Sequence, residues 1–106
     1  MIVRSAVLEG RVAPERRAAF DLAMSTGVVG AIRRYPGLVD VRLRRPVEAE
    51  EGAPPVYLVF DLYFDTLEAM KAALASPIRQ EVRGVIAAAM KDFEGRVYHL
   101  VLEEAH

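Results

Sequence analysis

Asp61 and His99 are the two side chains of this sequence best suited to move a proton, because each interrupts an otherwise apolar segment. Asp61 lies within VYLVFDLYF at residues 56–64, and His99 lies within RVYHLVLEE at residues 96–104. Apolar surroundings can tune the pKa of a carboxyl or imidazole group toward the value that a general base needs. We take Asp61 as the better candidate for the base.

Four predicted strands must position these side chains. Residues 2–12, 38–45, 56–64 and 96–104 are rich in β-branched and apolar residues, which is typical of strands. The second of them alternates between apolar and charged side chains, as a strand with one buried face does. The third and fourth carry apolar side chains on both faces, which predicts that both of their faces are covered.

Three predicted helices connect these strands. Apolar residues at i, i+3 and i+4 spacing predict a helix over residues 14–35, which Gly27 and Gly30 weaken near its middle. Asp65, followed three residues later by a glutamate, is the predicted N-cap of a helix that ends near residue 75. Ser76-Pro77 is the predicted start of a third helix, with the serine as its N-cap, that continues to Gly95.

The resulting element order is β-α-β-β-α-β, which is the ferredoxin-like arrangement. We therefore expect an α+β fold in which a four-stranded antiparallel sheet carries helices on one face, with strand order 4-1-3-2. At 106 residues, the chain is expected to form a single domain over residues 1–106.

The alternation along each strand divides the predicted sheet into two faces. The face toward the helices is expected to hold Val41, Leu43, Leu58, Phe60, Leu62, Leu100 and Leu102. The opposite face is expected to collect the polar groups, with an Asp61–Arg42 pair at its centre. The pocket expected there is lined by Arg42, Tyr57, Val59, Tyr63 and Val97, with Asp61 and His99 as its candidate catalytic groups. A register slip of one residue would reverse these assignments.

The large side chains on the second face predict a homodimer. The helices can cover only one face, so Tyr57, Val59 and Tyr63 would lie in water in a monomer, each forgoing about 1.5–3 kcal/mol of burial. A contiguous apolar patch of this kind usually marks an interface. A second copy that packs sheet against sheet around a two-fold axis would cover the patch.

The composition argues against several classes of function. The chain has no cysteine, which excludes disulfides and Cys-based zinc sites. Its net charge of −1 gives no bulk attraction to nucleic acid or to an anionic membrane, so neither is an expected partner. No cofactor and no metal are expected, because His99 has no second His or Cys nearby and the terminal His106 is expected to be inert. The sequence begins without a signal-peptide pattern and has no long apolar stretch, which predicts a cytoplasmic protein.

The segment LYFDTLEAMKAALASP, at residues 62–77, resembles the EthD-like family of small dimeric α+β-barrel proteins. In that family a strand ends in an aromatic-Phe-Asp step and runs into a helix of this pattern. The stretch from Phe20 to Pro36-Gly37-Leu38 is similar to the family's first helix and its exit. The resemblance covers most of the chain and implies a dimeric α+β barrel with an accessory or degradative role.

Two positions depart from the family's pattern. Members often carry a histidine in the first helix, eight residues before the proline, and this chain has Val28 there. The aromatic residue common four positions after the helix phenylalanine is replaced by Met24. Any chemistry that the helix histidine supports elsewhere is therefore not expected here.

Three hypotheses of function follow. The leading one is a homodimer that binds a small, largely apolar organic molecule between its sheet and helices and catalyses proton transfer of the isomerase or lyase type. The second is a non-catalytic structural or interaction dimer, in which the sheet face is only the seam between subunits. The third is a cofactor-independent oxygenase, which the absence of Asn and Trp disfavours because such oxygenases of this superfamily often rely on them.

Overall fold

The computed structural model describes residues 1–104 and contains one antiparallel sheet of four strands. The strands are β1 (Ile2–Val12), β2 (Leu38–Arg44), β3 (Val56–Phe64) and β4 (Phe93–Glu103). Their order in the sheet is β2-β3-β1-β4, so β1 and β3 lie in the centre. The predicted ferredoxin-like arrangement, including its strand order, is confirmed. His106 lies outside the described residues.

The first helix changes its winding where the sequence predicts a weak point. An α-helical segment Arg17–Leu22, a π-helical segment Ala23–Val28 and an α-helical segment Val29–Ile32 follow one another, and together they form helix α1. A short 3-10 turn over Pro14–Arg16 precedes it. The Thr26 hydroxyl donates a hydrogen bond of 2.6 Å to the carbonyl oxygen of Leu22, and such back-bonding disturbs helical winding.

Two further helices, α2 (Leu67–Leu74) and α3 (Ile78–Ala89), connect β3 to β4. The N-cap of α2 is Thr66 rather than the predicted Asp65, because the threonine hydroxyl accepts the Ala69 amide at 3.1 Å. The Ser76 hydroxyl does not cap α3 as predicted. It donates instead to the carbonyl oxygen of Ala73 at 2.6 Å and so terminates α2.

The last strand begins earlier than predicted. After α3, a 3-10 turn over Met90–Asp92 leads directly into β4 at Phe93, so Gly95 belongs to the strand and not to the helix end. Gly95 pairs with Gly10 of β1, and both have positive φ angles, of 149° and 153°. A Cβ atom on either glycine would overlap a carbonyl oxygen of the facing strand. The two backbones therefore approach each other here at a distance that only glycine permits.

The pairing of β4 with β1 corrects the predicted division into faces. His99 lies opposite Ala6 and Val97 opposite Leu8, so both side chains point toward the helices. Leu100 and Leu102 point away from the helices, the reverse of the prediction. The prediction failed here because both faces of this strand are apolar, and alternation alone then cannot tell one face from the other.

A β-bulge corrects the predicted orientation of Tyr57. Leu8 pairs with Leu58 and Glu9 with Val56, which leaves Tyr57 as the extra residue of β3. A bulge of this kind interrupts the alternation of side chains. Tyr57 consequently packs on the helix side, with its ring centroid 5.5 Å from that of Phe20 in α1.

The hydrophobic core fills the space between the sheet and the helices. Its largest fully buried side chains are Phe20, Met24 and Val28 of α1, Val12 of β1 and Phe64 of β3. The opposite side of the sheet carries no helix, and we call it the open face. Within residues 1–104, no helix is both long and apolar enough to cross a membrane.

Candidate functional site

A cavity of about 470 Å³ lies between the sheet and helices α1 and α3. This volume falls in the range of pockets that hold small organic ligands. The wall combines side chains from β1, β3, α1 and α3 with others from the edge strand β4 and from Tyr35 and Met90 in the connecting turns. Its residues are Arg4, Ala6, Leu8, Met24, Val28, Ile32, Tyr35, Phe60, Leu62, Arg79, Val82, Arg83, Ile86, Ala87, Met90, Val97 and His99.

The mouth of the cavity lies between α3 and β4. Four of the lining residues remain exposed to solvent, and all four belong to these two elements: Arg83 and Ala87 on α3, and Val97 and His99 on β4. The remaining wall residues are buried or half-buried. A small molecule can therefore enter at this edge without displacing the core.

The roof of the cavity is the π-helical segment of α1. Met24 and Val28 both belong to that segment, are both 1% exposed and both line the cavity. π-helical turns within α-helices occur frequently at functional sites. These are also the two positions at which the sequence departs from the EthD-like pattern, so the roof is wholly apolar where relatives often place a histidine.

Three basic side chains, which we call the basic cluster, line the cavity from three different elements: Arg4 of β1, Arg79 of α3 and His99 of β4. His99 is exposed at the mouth of the cavity, but the partial burial of its imidazole lowers its pKa below the usual 6.5; the positive charges of Arg4 and Arg79 lower it further. Burial and the charge of Arg79 also lower the pKa of the Arg4 guanidinium. The His99 imidazole is therefore mainly neutral near pH 7.

The structure brings only two of the residues named from the sequence to this cavity, namely Val97 and His99. Asp61, Arg42, Val59 and Tyr63 lie on the open face, across the sheet from it. These residues were predicted to lie together because β4 was expected to turn its other face toward the helices. Asp61 and His99 consequently lie on opposite sides of the sheet.

Asp61 forms a closed polar network on the open face. Its carboxylate accepts a hydrogen bond of 2.5 Å from Ser5 and pairs with Arg44 at 2.8 Å. Arg44 also donates to the Tyr63 hydroxyl at 2.8 Å. The carboxylate is thus fully engaged with neighbouring groups, as a buried charge must be.

The predicted Asp61–Arg42 pair is wrong. Arg42 lies opposite Asp61 in the strand register, but its guanidinium bonds to Asp40 at 3.0 Å and stacks over the Tyr63 ring at 4.8 Å. Asp40 shares a strand face with Arg42, and both side chains remain partly in contact with solvent, so this pair costs little desolvation. The partner of Asp61 is Arg44, which reaches it diagonally across the two strands.

The prediction that Tyr57 and Tyr63 need a second copy to cover them is wrong, and for Tyr63 the reason is its contacts with Arg42 and Arg44. Tyr63 is only 5% exposed in the isolated chain, because these two arginines cover its ring and its hydroxyl. Tyr57 is covered from the other side of the sheet, where it donates to Asp21 at 2.7 Å and lies under Arg45 at 5.1 Å. The burial of these tyrosines therefore does not require a second copy.

The exposed apolar groups of the open face lie on β4 instead. Leu100 and Leu102 are 47% and 46% exposed, although both belong to a strand with regular pairing along its length. They lie opposite Ser5 and Val3 of β1, next to the Asp61 network. Any dimer contact on this face would centre on the edge strand rather than on β3.

Sequence reasoning missed several residues of the cavity, of which Arg4 and Arg79 matter most for its chemistry. One signal was present for Arg4, because the alternation of Arg4, Ala6 and Leu8 places it on the same face as a buried leucine. For Arg79 no signal was present, since an arginine in the first turn of an amphipathic helix is usually solvated. Only the position of α3, across the cavity from β1, brings the two together.

Comparison with solved structures places this fold among small α+β proteins. A crystal structure of an EthD family protein from Bacillus halodurans matches with a TM-score of 0.75 and 26% identity, covering 99% of this chain and 100% of that one. A point mutant of SnoaB, a cofactor-independent oxygenase from Streptomyces nogalater, matches with a TM-score of 0.65 and 18% identity, over 99% of this chain and 93% of that one. A dimeric ferredoxin-like protein from Bacteroides fragilis matches with a TM-score of 0.66 and 10% identity, over 97% and 95% of the two chains.

No family model and no curated protein sequence matches the chain. The second and third structures share so little sequence with it that they support the fold alone. The likeness to the first extends over both complete chains and agrees with the resemblance found at residues 62–77.

Proposed function

We propose that this chain, an EthD-like protein of the dimeric α+β-barrel superfamily, binds a small, largely apolar organic molecule in the cavity between its sheet and its helices. The observation that carries the proposal is the cavity itself, of about 470 Å³, with a mainly apolar wall and a few converging polar groups. That combination is the usual anatomy of a small-molecule site.

The composition of the wall explains why an apolar ligand would bind there. Water inside the cavity would find few hydrogen-bonding partners along Met24, Val28, Val82 and Ile86. Poorly hydrated apolar pockets gain free energy when a ligand replaces such water and contacts the wall. Each buried CH₂ group contributes roughly 0.8 kcal/mol.

Narrowing the mouth of the cavity should weaken binding. We expect Ala87→Trp to weaken the binding of 2-naphthamide, a neutral aromatic probe, by at least about 10-fold, because the indole occupies the entrance. The matched control is Ala88→Trp, since Ala88 is also exposed on α3 but does not line the cavity. Titration followed by amide chemical shifts measures the affinity and locates the site.

In the wild-type protein the shifts should concentrate on the amides of the cavity wall, such as those of Val82 and His99. The proposed site would be rejected if naphthalene compounds show no saturable binding to the wild-type protein. It would also be rejected if the Ala87→Trp and Ala88→Trp variants bind the probe equally well. That outcome would favour the alternative of a non-catalytic structural or interaction dimer.

Proton transfer at His99 is a second candidate function, favoured by the state of this imidazole. It is the one imidazole among residues 1–104, it lines the cavity, and its lowered pKa keeps it able to accept a proton near pH 7. A carbonyl compound in the cavity would lose a proton from the carbon beside its carbonyl group to His99. The electron pair of the C–H bond would form a C=C double bond while the π pair of the C=O bond moves onto the oxygen, where the neighbouring guanidinium groups of Arg4 and Arg79 would stabilise the enolate.

Deuterium exchange tests this second function. We expect the wild-type protein in D₂O to speed the loss of the methyl proton signal of 2-acetylnaphthalene, and His99→Gln to remove roughly 100-fold of that acceleration. Because the pKa of His99 is lowered, the rate should persist to a lower pH than it does with free imidazole. Asp61→Asn is the control and should leave the rate unchanged, whereas the reverse pattern would make Asp61 the base.

The open face supports a homodimer as part of the same proposal. Leu100 and Leu102 form an exposed apolar pair beside the half-exposed Tyr98 and Val59. A two-fold arrangement would place this patch against its own copy, since it is the same surface on both subunits. The dimer seam and the ligand cavity would then lie on opposite sides of each sheet.

A further inference from the structure

The basic cluster has no acidic counterpart in the cavity. Arg4, Arg79 and His99, with Arg83 beside them at the mouth, are all the titratable groups of the wall except Tyr35. Within residues 1–104, no aspartate or glutamate lines the cavity. The cavity is therefore positive, although the whole chain carries 15 acidic against 14 basic residues and a net charge of −1.

Among the arginines of residues 1–104 that take part in no ion pair, only Arg4 and Arg79 are half-buried; Arg16, Arg17, Arg33 and Arg83 are exposed. Elsewhere in residues 1–104, six arginines form ion pairs with acidic side chains: Arg11, Arg34, Arg42, Arg44, Arg45 and Arg96. The ion pairs of this part of the chain include none from Arg4, Arg79 or Arg83. Arg34, in the turn after α1, pairs with Glu81 of α3 at 2.9 Å, although this glutamate is only two positions from Arg79.

Crowding like charges in a half-buried site has a free-energy cost, because each charge disfavours the ionised form of its neighbours. Besides the larger effect of burial, the charge of Arg79 lowers the pKa of Arg4, and the charges of Arg4 and Arg79 lower the pKa of His99, which expresses this cost. An anion placed among the three would remove it and would form charge-assisted hydrogen bonds with the guanidinium groups.

We propose that the ligand of the cavity is an organic anion, whose carboxylate or similar group lies among Arg4, Arg79 and His99 while its apolar body extends along the π-helical roof. This inference rests on the proposed function and specifies its ligand class. The roof residues Met24 and Val28 offer the body an apolar surface with no competing polar group. Tyr35 lies near Arg4 in the cavity wall, so its hydroxyl group is available to hydrogen-bond a further polar group at the anionic end of the ligand.

The bound anion should also draw a proton onto His99. Four groups face the imidazole region: Arg4 from β1, Arg79 and Arg83 from α3, and Tyr35 after α1. Arg4 and Arg79 disfavour the imidazolium in the empty cavity, and a negative ligand opposes them. By linkage, the anion should then bind more tightly as the pH falls through the titration of His99, which takes place below 6.5 in the empty protein.

An isosteric pair of probes tests the charge requirement. Calorimetric titration with 2-naphthoate and with neutral 2-naphthamide should give at least about 10-fold tighter binding of the naphthoate at pH 7. Arg79→Gln and Arg4→Gln should each reduce that ratio toward one with little change for the amide. Arg16→Gln, at an exposed arginine outside the cavity, is the control. Arg79 is only half-buried on α3, so its variant preserves the test if Arg4→Gln does not fold.

A pH series provides an independent readout. The naphthoate affinity of the wild type should rise between pH 7.5 and 5.5, a range in which a carboxylate with an ordinary pKa of about 4 stays ionised. His99→Gln should flatten this rise.

The outcomes separate the two proposals. Equal binding of the two probes overturns the anion assignment and leaves the cavity as a site for neutral molecules. A preference for naphthoate that survives both arginine variants places the anion elsewhere and overturns the assignment as well. Failure of both probes to bind rejects the proposed function itself.

Discussion

Replacing Gly10 with alanine is expected to lower the free energy of unfolding by roughly 3 kcal/mol or more. Gly10 of β1 pairs with Gly95 of β4, and a methyl group on Gly10 would overlap the carbonyl oxygen of Glu94 in the facing strand. Backbone atoms cannot rotate away as a flexible side chain would, so the two strands must separate. The positive φ of 153° adds strain for any L-residue with a side chain.

Gly95→Ala should have the same effect, because its methyl group would overlap the carbonyl oxygen of Glu9. Gly30→Ala is the matched control, since a Cβ atom there meets nothing within 4 Å and the residue lies in α1. This control should be stabilising, by about 0.5–1 kcal/mol. Urea denaturation measures the free energy of unfolding of all three variants. A Gly10→Ala variant as stable as the wild type would contradict the close approach of the two backbones at Gly10 and Gly95.

Replacing Leu100 with glutamate is expected to convert the proposed dimer into a monomer. A leucine buried in a two-fold contact is lost on both subunits, so at roughly 1.5 kcal/mol or more per side chain the dissociation constant should rise at least about 100-fold. The introduced carboxylates would in addition lose water or repel each other in the seam. Sedimentation velocity over a concentration series measures the shift.

The control for this change is Val47→Glu, at an apolar residue that is 94% exposed in the loop between β2 and β3. It introduces the same charge away from the open face and should leave the dimer intact. A wild-type protein that sediments as a monomer at every concentration would contradict the dimer directly. In that case Leu100 and Leu102 would simply be exposed residues of an edge strand.

Local patterns were sufficient to predict the elements. The strand expected over residues 2–12 has the bounds of β1, and that expected over 56–64 has the bounds of β3. The first is rich in Val and Ile and the second in Val and aromatic residues, and residues typical of turns or helix starts follow each of them, so the local sequence predicts their limits. The weak point near Gly27 also appears in the structure, as the π-helical winding of α1.

Orientation was harder to predict, because it depends on contacts between distant segments. The faces of β4 carry similar apolar side chains, and only the pairing of His99 with Ala6 decides which face meets the helices. Tyr57 points toward α1 because of a β-bulge, and no residue type in β3 predicts that bulge. The choice of Arg44 over Arg42 as partner of Asp61 depends on side-chain rotamers, which alternation does not describe.

The cavity is the feature least accessible from the sequence. An empty volume arises where the side chains of several elements fail to fill the space between them, and no single segment carries that information. Ala6 and Ala87 contribute small side chains from β1 and α3, whereas Met24 and Val28 cover the space from above. Its basic character likewise results from three residues that are 20 or more positions apart.

Strand β4 contributes side chains both to the ligand cavity and to the open face, because successive residues of a strand point to opposite sides of the sheet. Its odd positions 97 and 99 line the ligand cavity, and its even positions 100 and 102 lie on the open face. Deleting one residue from the turn that precedes this strand, if the strand kept its place in the sheet, would send the imidazole outward and bring leucines into the cavity. Length changes in that turn therefore affect assembly and ligand recognition together, whereas single substitutions in the strand can alter either one alone.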